Sequence, residues 1–158
     1  MQKILGVRTS PSAIRYAILC KNDDGTLQFL NFDSENKLDF PADLTTINEK
    51  IAWFGKELSR ILHIHHDIGK IVVKASEYGR GAEKTAMREA AYLDGTVILI
   101  ASQKTIPLPV VVKVYQGIKR GVNRRTVKEF AKSNIGASTK YWNEQMADAI
   151  VAAFSELE

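Results

Sequence analysis

Apolar positions crowd the first twenty residues in two runs, Ile4, Leu5 and Val7, then Ala13, Ile14, Tyr16, Ala17, Ile18 and Leu19, with Ser10, Pro11 and Ser12 between them. Aliphatic and β-branched runs broken by turn-forming residues predict two strands of a hairpin. A turn follows at residues 21–25, ending in Asp24-Gly25, and the partial alternation of residues 26–32 predicts a third strand. The chain therefore opens as an antiparallel meander. Residues 33–43 are polar and contain Pro41, which predicts a loop. Thr46 and Glu49 then have capping-box spacing, and Ile47, Ile51, Phe54, Leu58, Ile61 and Leu62 recur at helical intervals.

The second half alternates the two periods. Residues 70–74 (KIVVK) form a short apolar run of the buried-strand kind, and residues 75–81 a loop in which Gly79 and Gly81 flank Arg80. Glycines let backbone N–H groups approach an anion, although Gly-x-Gly also simply turns a chain. Residues 82–93 predict a helix with a small-residue face. Residues 95–101 fit a strand by composition or a continuation of that helix through Gly95, and periodicity over six apolar residues does not separate the two. Pro107 and Pro109 bound a linker before a Val-rich strand at residues 110–115, a helix is expected over 124–133 behind Asn123, and a last helix over 141–157 carries Met146, Ala147, Ile150, Val151, Phe154 and Leu157 on one stripe.

The chain has 158 residues, 45% of them hydrophobic and 25% charged, which suits one folded domain spanning residues 1–158 and excludes a disordered or collagen-like chain. Cys20 is the only cysteine, so an internal disulfide, a cysteine zinc site and a CxxC redox motif are excluded. With only Ile4 to Val7 apolar before Arg8, the start is too short for a signal-peptide core or a membrane span, and a cytoplasmic protein is expected. The net charge of +4 permits a polyanionic partner without requiring one.

The distribution of charge says more than its sum. Lys113, Lys119, Arg120, Arg124, Arg125, Lys128 and Lys132 face a single acid, Glu129, over twenty residues. Cations at that density attract a phosphate backbone through counterion release, and nucleic-acid contact is placed slightly ahead of a solvated surface helix. His63, His65 and His66 beside Asp67 suggest a metal, but helix-borne ligands need i,i+4 spacing, so the favoured account is a helix C-terminus that suits histidine. Asp148, off the apolar stripe of the last helix and on the side of Gln145, is expected as an exposed acid of the first turns or as part of a site.

This element order resembles the ribonuclease H-like fold. Residues 4–7 (ILGV) with Tyr16-Ala17-Ile18, the stretch 85–99 passing through Gly95, and residues 146–150 (MADAI) are similar to the opening, the long second helix and the C-terminal motif of RuvC-type Holliday-junction resolvases. The resemblance covers nearly the whole chain. It implies an α/β fold with a five-stranded mixed sheet, the three-strand meander first and two more strands after it, flanked by helices, and it favours helix for residues 95–101.

The resemblance also implies a cluster of carboxylates that holds two magnesium ions. Carried onto this chain, the first acid's position is Arg8, the second is Lys74 with Glu77 three residues on, and the last pair is Gln145 and Asp148. One carboxylate of four stands in place, so a degraded active site is expected, with no cofactor. The leading expectation is a non-catalytic protein that binds DNA, RNA or another anion through Arg8, Lys74, Arg80, Lys119, Arg120, Arg124, Arg125 and Lys128. The alternatives are a residual Mg²⁺-dependent nuclease using Glu77 and Asp148, and an interaction scaffold forming homo-oligomers through Trp53 or Trp142. No membrane partner is expected.

Overall fold

A computed structural model describes residues 1–77, 84–118, 129, 131–133, 135 and 143–157. Six strands form one mixed sheet: β1 (Lys3–Arg8), β2 (Ala13–Lys21), β3 (Leu27–Phe29), β4 (Lys37–Asp39), β5 (Ile68–Lys74) and β6 (Val110–Lys113). The helices whose bounds lie within the described residues are α1 (Ile47–Ile64), α2 (Thr85–Ser102), the short α3 (Tyr115–Ile118) and α4 (Glu144–Phe154). The strand order is β3-β2-β1-β5-β6, with β4 also paired to β2. β1, β2 and β3 are antiparallel, whereas β5 and β6 run parallel to β1.

Helices cover both faces, so the strands read as nearly continuous apolar runs. Alternate residues feed opposite cores: Leu5, Ile18 and Val73 pack with Phe54, Leu58 and Val97 of α1 and α2, while Ile4, Ala17 and Val72 pack with Met146, Ile150 and Val151 of α4. α1 begins at the expected capping box, with Thr46 accepting from the Glu49 N–H and Glu49 from the Thr46 N–H. α2 is one helix through Gly95, where a Cβ would meet nothing within 4 Å, so the glycine lies on an open side and does not break the helix. Gly6 has the opposite role. A Cβ there would run into the Ala149 carbonyl oxygen and come within 2.9 Å of the Ala153 Cβ, so its bare backbone lets α4 sit directly on β1.

The expected third strand and the loop after it need correction. Regular pairing stops at Phe29, and a second short strand, β4, lies inside residues 33–43, pairing with the opposite half of β2. Between them the side chain of Asn31 replaces backbone, accepting from the Ile18 N–H at 2.8 Å and donating to the Tyr16 carbonyl at 3.2 Å. Only Leu38 of β4 turns into the core, which is why its three residues look like loop. β6 is also shorter than expected, since residues from Tyr115 onward turn into α3.

Candidate functional site

Arg8 ends β1 and Lys74 ends β5, and the parallel register sets them directly opposite one another. Directly paired residues project from the same face of a sheet. The same level continues outward: Arg15 of β2 pairs with Arg8, Lys37 of β4 pairs with Arg15, and Lys113 of β6 pairs with Lys74. Five cations thus stand in one rung across five strands, on the face that α4 covers. Like charges directly opposite repel, and a carboxylate is drawn to nearly every member.

Arg8 donates from Nε to Asp148 Oδ2 at 3.3 Å and from Nη1 to the Thr9 carbonyl at 2.7 Å. Asp148 is only 8% exposed, which removes the surface-acid alternative and leaves the reading that it belongs to a site. α4 is buried on almost every side from Met146 to Ala153, so no face of it offered Asp148 to solvent. Lys74, 4% exposed, donates to Glu77 Oε2 at 2.5 Å and to the Ala75 carbonyl at 2.7 Å. The same Glu77 oxygen accepts from the Tyr115 backbone N–H at 2.9 Å. Burial pushes the Glu77 carboxyl up, but the hydrogen bonds from Lys74 and Tyr115 and the charges of Lys74 and Arg8 outweigh it and hold the group below its ordinary value. Lys37 pairs with Asp39 at 2.8 Å, and Lys113 pairs with Glu156. In Arg15, Nε and Nη1 are buried without a hydrogen-bond partner among the described residues.

Arg8, Thr9, Ser76, Glu77, Met87 and Gln145 line a cavity of about 190 Å³ at this end of the sheet. A residue that the sequence did not single out braces it. Asp94 of α2, 7% exposed, accepts from Thr9 Oγ1 at 2.5 Å and from the Ser76 N–H at 2.8 Å, tying the ends of β1 and β5 to the helix. An acid inside an apolar helical stretch was the available signal. A larger cavity of about 660 Å³ lies beyond the C-terminal end of α4, but its acid, Glu156, is already held by Lys70 and Lys113.

The structure therefore brings together Arg8, Lys74, Glu77, Gln145 and Asp148. Arg80, Lys119, Arg120, Arg124, Arg125, Lys128, Trp142, Gly79 and Gly81 lie outside the described residues. Of the expected helix over 124–133, Glu129 and residues 131–133 are described, all helical, with Ala131 buried. Trp53 packs against Phe40, ring centroids 5.2 Å apart, and is half-buried. His65 caps α1, and Asp67 is taken by Lys3. Among the described residues no three His, Cys, Asp or Glu side chains gather closely enough to hold a metal, and no helix is long and apolar enough to cross a membrane.

No family model and no curated protein matches the chain. Solved structures do. The Thermus thermophilus RuvC in complex with a Holliday junction substrate superimposes with a TM-score of 0.77 at 12% identity, covering 98% of this chain and 92% of that one. The yeast mitochondrial Holliday junction resolvase Ydc2 gives 0.61 at 14% identity, covering 98% and 77%. The fowlpox virus resolvase, solved with Holliday junction DNA, gives 0.57 at 12% identity, covering 98% and 95%. The chain has the ribonuclease H-like fold in the form found in RuvC-type resolvases.

Proposed function

We propose that this chain acts as a single-domain, non-catalytic, RuvC-like protein that binds nucleic acid at the cleft between the ends of β1 and β5. The observation that carries the proposal is the pairing of Arg8 with Lys74 beside the cavity. In an α/β sheet, ligands bind beyond the carboxyl ends of parallel strands, and here those ends carry cations: Arg8 lines the cavity, and Lys74 is buried and paired with Glu77, which lines it. In sequence, Lys119, Arg120, Arg124, Arg125 and Lys128 follow β6 as a dense run of cations, and Arg80 follows β5.

Two-metal hydrolysis does not fit these residues. A magnesium pair needs several anionic oxygens free to coordinate it, whereas the cleft offers two cations, the amide of Gln145, and three carboxylates already engaged, Asp148 by Arg8, Glu77 by Lys74, and Asp94 by Thr9 Oγ1 and the Ser76 N–H. The chemistry that remains is recognition of an anion. The four-way junction bound by two of the structural neighbours is the natural first probe, beside single-stranded DNA and RNA.

Fluorescence anisotropy across about 50 to 200 mM salt tests the proposal. Binding is expected to weaken steeply with salt, and Lys74→Gln and Arg8→Gln are each expected to flatten the log–log slope by about 0.7 to 0.9. Undetectable binding at low salt, or magnesium-dependent cleavage that Asp148→Asn abolishes, overturns it.

A further inference from the structure

We infer that Glu77 occupies, in the free protein, the seat that a phosphate oxygen of a bound strand takes, so that binding exchanges one anion for another at Lys74. The inference rests on the nucleic-acid reading and adds to it a gate. Glu77 Oε2 receives two donors, Lys74 Nζ at 2.5 Å and the Tyr115 N–H at 2.9 Å, beside the charge of Arg8. Two convergent N–H donors flanked by a guanidinium match a phosphodiester oxygen as well as they match a carboxylate.

The two ends of the Lys74–Glu77 pair differ in exposure. The Lys74 side chain is 5% exposed and the Glu77 side chain 39%. A buried ammonium that loses its counter-charge is strongly destabilised, so Glu77 leaves at low cost only when another anion arrives. A neutral ligand cannot supply that exchange. Glu77, three residues beyond Lys74, is the partly solvent-exposed member of the pair, so rotation about its own side-chain bonds is a route away from Lys74. While seated, it presents negative charge in the lining of the cavity and opposes an approaching phosphate.

Glu77→Gln removes the charge and keeps a carbonyl oxygen for the Tyr115 N–H. The full chain and this variant are compared for binding of a single-stranded oligonucleotide and of inorganic phosphate, with the Tyr115 amide followed by NMR. The variant is expected to bind the oligonucleotide on the order of tenfold more tightly, with a salt slope steeper by about 0.7, and phosphate is expected to move the Tyr115 amide in the variant at lower concentration than in the parent. If Glu77→Gln is unstable, Glu77→Asp, with the same charge on a shorter arm, gives a smaller gain in the same direction. Equal or weaker binding by a folded variant of a parent that binds overturns the gate and leaves the nucleic-acid proposal standing. Binding by the variant alone keeps the gate and overturns the proposal for the parent. Failure of both proteins to bind overturns both.

Discussion

Arg8 and Asp148, 140 residues apart in sequence, meet at 3.3 Å where α4 crosses the end of β1. Each side chain keeps little contact with water, 17% for Arg8 and 11% for Asp148. The pair therefore joins the last helix to the first strand through charge in a largely dry setting. Breaking one partner of a fully buried pair costs about 3–5 kcal/mol. With some solvent retained, Arg8→Met is expected to cost about 2 kcal/mol in urea unfolding, with a coupling to Asp148→Asn of about 1 kcal/mol in a double-mutant cycle. Additive effects would show that the two do not act as a pair.

Gly6→Ala is expected to be among the most destabilising single changes in the chain. Overpacking usually costs about 1–3 kcal/mol, and here the obstruction is backbone, the Ala149 carbonyl, which cannot rotate away. A loss of about 3 kcal/mol is expected, with α4 displaced from β1. Hydrogen exchange confined to α4 would locate the damage.

Asp94→Ala removes the acceptor shared by Thr9 Oγ1 and the Ser76 N–H. Hydrogen bonds to a charged group contribute about 1.5–3 kcal/mol each, and the second is recovered only in part by solvent. A loss of about 2 kcal/mol is expected, together with faster exchange of the Ser76 amide. Unchanged protection at Ser76 would contradict the bracing role.

Acid should loosen the fold through a small set of glutamates. Glu77 is held below its ordinary value of 4.5 as described. Glu156 is held below the same value by hydrogen bonds from Lys113 and Lys70 and by their charges. A carboxyl with a depressed folded pKa stabilises the fold above its unfolded pKa and loses that contribution as pH falls through the folded value. The urea midpoint is therefore expected to hold steady from pH 7 down to about 5 and to fall below about 4.5. In Glu156→Gln the acid-side fall should be smaller. An unchanged acid limb in that variant would remove Glu156 from the set.

Much of this fold was legible because its signals are local. The Thr46 and Glu49 capping box needs three residues of spacing, and the α1 stripe needs only its own period. Residues 95–101 were ambiguous because what decides them is tertiary. α2 packs along α1, and Gly95 happens to face open space. β4 escaped because a three-residue strand with one inward side chain carries no period, and because the ladder beside it is completed by the side chain of Asn31. At the site, residue types could be placed from the resemblance, but not their partners. Neither the burial of Asp148 nor the alignment of Lys37, Arg15, Arg8, Lys74 and Lys113 can be read before strand register is known. Asp94 was missed for a related reason, since its partners lie on a strand end and a connecting segment that only the folded chain brings to α2.

That alignment has a consequence for how the site responds to change. Neighbouring strands lie about 4.8 Å apart, well inside the Debye length of about 8 Å at physiological ionic strength. Mobile salt cannot isolate one member of the row from the next, least of all under a helix. The row is therefore expected to respond as a unit: substitution or neutralisation at one position shifts the ion pairs at its neighbours. The effects of altering Arg8 and Lys74 should therefore depend on each other, although neither side chain needs to touch the other.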